Sequence, residues 1–175
     1  MKASQGLIKV DDHIKNYRPK LLVLSGDPSH RPNLVDFGNL ITKKISLMST
    51  LHIVDHDKSD WKQLEVIKHQ SQQWLMENKI KAFHGITRNN SFSEGVRSAL
   101  ELHGLSKLSP NMILVGFKEN WSQNPQDTQD YYQALHLAMD MRLSVGILRL
   151  PSKYRHNFEK TGMIDAPSEL QRQSK

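Results

Sequence analysis

The side chains best suited to chemistry stand just behind apolar runs. After Leu21–Leu24 comes Ser25-Gly26-Asp27-Pro28, with His30, Arg31 and Pro32 following. Gly26 can take the positive φ of a tight turn, and Pro32 can open a helix because its missing N–H is not needed there. Backbone N–H groups of such a turn, just ahead of a helix N-terminus, suit a phosphate. Behind the later run Met112–Val115 stand Gly116 and Lys118, and behind Val54 stands Asp55, the place at which an adenine would be expected to stack. Gly26, Asp27, Arg31, Asp55, Gly116 and Lys118 therefore form a candidate nucleotide set, for ATP or ADP. No GxxxxGK[ST] occurs, which argues against nucleoside triphosphate hydrolysis.

Other chemistries find less support. Nine histidines are a rich supply, and His52, His56 and His84 come near one sheet edge, but no HxxxH or HExxH pair marks a helix face. His52 and His84 read as packed or hydrogen-bonded strand residues, so no metal is expected. There is no cysteine and no G-x-S-x-G elbow, and Ser25 reads as a turn residue, so the chain is not expected to be an enzyme. Of the three tryptophans, Trp74 falls on a helical core stripe, whereas Trp121 lies in a polar loop where a large ring is hard to bury. Trp121, with Tyr131 (and Tyr132) and Ile14 of the amino-terminal arm, forms a candidate interface set.

These residues need a scaffold, and 175 residues with 37% hydrophobic and 24% charged side chains suffice for one domain with a sizeable core. No apolar run approaches the ~20 residues of a membrane span, and the opening MKASQGLIKVDDH lacks the apolar core of a signal peptide. The absence of cysteine fits a reducing compartment. A net charge of +6 is scattered rather than blocked, which favours a solvated surface over nucleic-acid binding.

Leu21–Leu24 reads as a strand buried on both faces, parallel and central. A helix over about 33–44 follows, with Leu34, Phe37, Leu40, Ile41 and Ile45 as its inner face. Then come a strand at 47–54, a helix at about 61–78 capped by Ser59 or Asp60, a strand at 81–86, and a helix starting at Ser91 or Ser93 and ending at Gly104. A strand at 112–117, a helix at 129–141 capped by Asp127 or Thr128, and a strand at 144–150 stopped by Pro151 complete the alternation. Strand-helix repetition with right-handed crossovers implies a doubly wound α/β fold: a five-stranded parallel sheet, order 3-2-1-4-5, with helices on both faces. The first and fourth strands then lie side by side, and ligands bind such sheets where the order reverses. Residues 1–16 form an arm, 17–151 the domain, and 152–175 a polar tail expected to be a disordered linker.

Five blocks carry a resemblance: KNYRPKLLVLSGDPSHRPNLVDF, QQWLMENKIKAFHG, SFSEGVRSALELHGL, PNMILVGFKENW and YYQALHLAMDMRLSVGILRLP. Together, over Asp11 to Pro151, they resemble the cytoplasmic C-terminal domain of the cation-chloride cotransporters, closer to the sodium-(potassium-)chloride than to the potassium-chloride branch. The resemblance implies a fold similar to universal stress proteins, a position on the cytoplasmic face of a membrane, homodimerisation, and coupling to the membrane domain of the same transporter. Regulatory kinases are further implied partners, and the chain itself would hold no transport pathway. ATP-binding stress proteins use a glycine-rich stretch after the fourth strand. Here that stretch is GFKENW, so most of the phosphate cradle is missing. One departure from the family pattern, at Ser93-Glu94-Gly95, reads as surface variation.

Overall fold

The computed structural model describes residues 17–43, 45–55, 60–103 and 109–151. The arm with Ile14, the tail from Ser152, His56 and Gly104 lie outside the described residues. Five strands form one sheet: β1 (Leu21–Leu24), β2 (Met48–Val54), β3 (Phe83–Arg88), β4 (Met112–Gly116) and β5 (Ser144–Leu148). Their order is β3-β2-β1-β4-β5, and every pairing is parallel. Helices α1 (Pro32–Thr42), α2 (Trp61–Glu77), α3 (Phe92–His103) and α4 (Pro125–Asp140) fill the connections. The expected fold class and strand order are therefore observed.

Alternation along the strands supplies two cores, one on each face. Leu22, Leu24, Leu51, Ile53, Ile113 and Val115 pack against Phe92, Val96 and Leu100 of α3 and Ala134, Leu135 and Ala138 of α4. On the other face, Leu21, Val23, Met48 and Leu114 pack with Leu34 and Val35 of α1 and Leu75 of α2. All four residues of β1 are at most 2% exposed, as a central strand covered on both sides must be.

The chain enters β1 through a clamp made by Asn111. Its Oδ1 accepts the Lys20 N–H (2.8 Å), and its Nδ2 donates to the Arg18 carbonyl (2.9 Å). The backbone N–H of Asn111 also donates to the Lys20 carbonyl (3.0 Å). The side-chain amide thus stands in for one more peptide unit between β1 and β4.

Expectations for several elements need correction. The inner face of α1 is Leu34, Val35, Gly38 and Thr42, not the stripe through Phe37, Leu40 and Ile45. A Cβ on Gly38 would lie 3.0 Å from both Met48 Sδ and Val23 Cγ2. The bare glycine backbone is seated on the sheet, and the helix is rolled about it, which leaves Phe37, Leu40 and Ile45 exposed. Helix α4 begins four residues earlier than expected: Asn124 accepts the Asp127 N–H and Pro125 takes the first turn, a pairing of cap and proline that is favourable at a helix start. Periodicity alone points to Tyr132, Leu135, Leu137, Ala138 and Met141 as its inner face, whereas the buried residues are Tyr131, Ala134, Leu135 and Ala138. Finally, β3 begins and ends two residues later than expected, and a 3-10 turn at Pro28–His30 precedes α1.

Candidate functional site

At the carboxyl ends of β1 and β4 the order of the sheet reverses, and most of the nucleotide set is found at this edge. Gly26 takes φ 64°, the left-handed turn that glycine accepts without strain. Its N–H, though, donates to the Leu51 carbonyl (3.1 Å). Asp27 caps the 3-10 turn, its Oδ1 accepting from Ser29 N–H (2.9 Å) and Ser29 Oγ (2.8 Å). Arg31 is buried and turned back on its own loop, its guanidinium donating to the Ser25 carbonyl (3.1 Å). Lys118 is buried too, with Nζ 4.0 Å from Asp127 Oδ2 at the start of α4. The Gly116 carbonyl accepts from Tyr131 Oη (3.2 Å). Asp55 is half-buried at the end of β2. This edge spends its charges on closing its own loops.

The interface candidates separate. Trp121 is 59% exposed, and its carbonyl accepts from Thr128 Oγ1 (2.8 Å), which ties the loop to α4. Tyr131 is 4% exposed and belongs to the core, so its placement at an interface is corrected. Burial, with Tyr132 beside it, pushes its phenol up to about 12. Its neighbour Tyr132 presents the exposed ring instead, edge-on to Tyr131 with centroids 5.8 Å apart. Trp61 is also open, with the Arg88 guanidinium 5.8 Å from its ring.

The two strand histidines do meet. His52 and His84, in β2 and β3, have ring centroids 6.4 Å apart, and Thr50 Oγ1 is 2.9 Å from His84 Nδ1. All three are buried. Among the described residues, His84 Nε2 and Ser71 Oγ find no hydrogen-bond partner. Burial foremost, then the nearby His52, lowers the His84 pKa to about 4; Asp27 opposes the shift and Lys68 adds to it. The ring is neutral at pH 7. Among the described residues, no three histidine or acidic side chains gather around a common point.

The reading of Ser93-Glu94-Gly95 as surface variation is also corrected. Phe92 N–H donates to Asp130 Oδ2 (2.6 Å) and Ser93 N–H to Asp130 Oδ1 (3.2 Å), and the Ser93 hydroxyl donates to the same carboxylate. Asp130 on α4 thus caps the N-terminus of α3 across the helix interface, a partner 37 residues distant from Ser93 and without a local sequence signal. Gly95 faces the sheet so closely that a Cβ there would stand 2.5 Å from Ile53 Cγ2.

Comparison with known proteins adds to this geometry. A family model described as Solute carrier family 12 matches residues 31–174. Solute carrier family 12 member 3 of Homo sapiens is 40% identical over 149 residues, covering 84% of this chain and 15% of that protein. The bumetanide-sensitive sodium-(potassium)-chloride cotransporter of Manduca sexta is 36% identical over 151 residues, covering 86% and 14%. Solute carrier family 12 member 1 of Rattus norvegicus is 34% identical over 168 residues, covering 95% and 15%. The chain therefore spans about 15% of the length of these relatives. Among solved structures, a universal stress protein family member from Burkholderia pseudomallei is similar with TM-score 0.46 and 10% identity, over 75% of this chain and 96% of that one.

Proposed function

The chain belongs to solute carrier family 12, and from that premise we propose that it is a cytoplasmic regulatory and dimerisation domain of a sodium-(potassium-)chloride cotransporter. The observation that carries the reading is the match itself: nearly the whole chain aligns with a small fraction of much longer cotransporters. Among the described residues no helix is long and apolar enough to cross a membrane, and the proposal gives this piece no share of the transport pathway. Its switch-point charges are engaged within the chain, which speaks against a nucleotide or catalytic site there and supports a relay role. The partners are a second copy, the membrane domain of the same transporter, and regulatory kinases.

The surface we assign to association is centred on Trp121, with the exposed Tyr132 on the adjoining helix. Large rings held on a fixed loop make strong contact anchors. Sedimentation over a range of concentrations tests this. The domain should dimerise, and Trp121→Ala should weaken the dimer at least tenfold while leaving the melting temperature nearly unchanged. A monomer at every concentration removes the dimerisation reading, and undiminished association of Trp121→Ala moves the interface elsewhere. In the full-length transporter, deletion of this domain should change the regulation of ion uptake.

A further inference from the structure

Parallel strands joined by crossovers bring every turn that leads into a strand to one end of the sheet. Here those turns are 17–20 ahead of β1, 43 and 45–47 ahead of β2, 78–82 ahead of β3, 109–111 ahead of β4 and 141–143 ahead of β5. They carry Arg18, Lys20, Lys43, Lys79, Lys81 and Arg142, and among the described residues they hold no aspartate or glutamate. All of these cations except the half-buried Lys20 are exposed. The opposite end is different. Its loops hold Asp27, Asp55, Asp60 and Glu119, while Arg31 and Lys118 are buried, and Arg88 and Arg149 lie over the rings of Trp61 and Phe117. Charge that is scattered along the sequence is thus sorted by the fold into one basic end.

Cations suit the carboxyl ends of helices, but Arg18, Lys20 and Lys81 stand outside any last helical turn. Lys79 and Arg142 take φ 57° and 60°, the left-handed position after a helix that glycine fills without strain. The chain places a long cation at both. Glu77, Glu101 and Asp140, in the last turns of α2, α3 and α4, border this end and are fewer than its cations. The Glu77 carboxylate accepts from Gln73 Nε2 (2.8 Å). Apolar bulk shares the same end: Tyr17, Ile45, Leu47, Phe83 and Met141 are all exposed, Phe83 at 65%.

We propose that this end of the sheet is a docking face for an anionic lipid surface. Lys43, Lys79, Lys81 and Arg142 meet the headgroup phosphates and carboxylates, and Tyr17, Ile45, Phe83 and Met141 enter the interfacial layer between them. Cations and large apolar side chains on one face are the pairing that holds a peripheral element to such a surface. A nucleic acid would satisfy the cations but offers little to Ile45 or Met141. The inference rests on the reading of the chain as a domain at the cytoplasmic face of a membrane, and it adds the surface that faces the bilayer.

The test is co-sedimentation of the whole chain with vesicles of phosphatidylcholine alone and of an about 2:1 mixture with phosphatidylserine. The mixed vesicles should be bound at least tenfold more tightly, and about 0.5 M salt should abolish the difference. Lys79→Glu with Lys81→Glu, and separately Lys43→Glu with Arg142→Glu, should each weaken that binding at least tenfold, since one cation near an anionic leaflet is worth about fivefold. Lys62→Glu with Arg97→Glu removes as much charge from exposed helix positions elsewhere and should leave binding within about threefold of the parent's. Melting temperatures near the parent's show that the folds are intact, and two pairs on separate turns keep the test open if one pair unfolds. No preference for the anionic vesicles overturns the proposal, and so does an equal loss in the control pair. Tighter binding to a duplex oligonucleotide than to the mixed vesicles gives the face to nucleic acid and overturns it too. Dimerisation is read separately by sedimentation without vesicles, so either reading can fail while the other stands.

Discussion

Acid should weaken this fold through one histidine. His84 is 7% exposed and its pKa lies at about 4 in the folded chain, against 6.5 for an ordinary histidine. Between those values the unfolded chain holds a proton that the folded chain refuses. Stability is therefore complete above pH 6.5 and is lost as the pH falls toward 4. At about 1.36 kcal/mol per unit, the loss from this group reaches roughly 2 kcal/mol at pH 5 and roughly 3 kcal/mol at pH 4. The physical origin is the site between Thr50, His52 and the α2 side of the sheet, where a charged ring would lose water and face its neighbour. The assay is urea unfolding of the parent chain and of His84→Gln at pH 7.5, 6, 5 and 4.5. The variant starts less stable because the Thr50 partner and the packed ring are altered, but it has no proton to gain. The two chains differ at this one group, so the stability difference between them should narrow by about 2 kcal/mol from pH 7.5 to 5. Parallel curves across that window would refute the reasoning.

Further outcomes are expected. Gly95→Ala should cost about 1–3 kcal/mol, read as a drop in urea midpoint, because the new methyl meets Ile53 within the body of the sheet. Asp130→Ala should cost about 0.5–2 kcal/mol through the lost cap, and hydrogen exchange should speed up first at the amides of Phe92 and Ser93, which the carboxylate holds. ATP at millimolar concentration should leave the melting temperature unchanged, since a ligand specific to the folded state must raise it and the Gly26, Asp27, Arg31 and Lys118 groups already bind within the chain. A rise of several degrees would restore the nucleotide reading.

How much of this was legible in the sequence depends on the range of the interaction. The strand order followed from local signals: an unbroken apolar β1, alternating helical stretches and right-handed crossovers leave few topologies. Helix faces were less legible. Periodicity places apolar residues on α1, but a glycine's close approach decides which of them turn inward, and Gly38 reads as a mere interruption until Met48 and Val23 are seen against it. The same holds at the candidate sites. The residue types at the switch point were visible, whereas their engagement by Ser25, Ser29 and Asp127 was not, because hydrogen bonds across a fold leave no spacing to read. Tyr131 and Tyr132 are adjacent in sequence and opposite in environment; at 3.6 residues per turn neighbours point about 100° apart, and periodicity alone does not say which of the two faces the sheet.

The Asn111 clamp has a mechanical consequence. Tension arriving from the chain ahead of Tyr17 is delivered to the middle strand of the sheet, not to a margin. There the clamp and the ladders to β2 and β4 lie side by side along the line of pull, so they are loaded in shear and must yield together instead of unzipping one at a time. Displacement of the incoming chain then moves the sheet as one body.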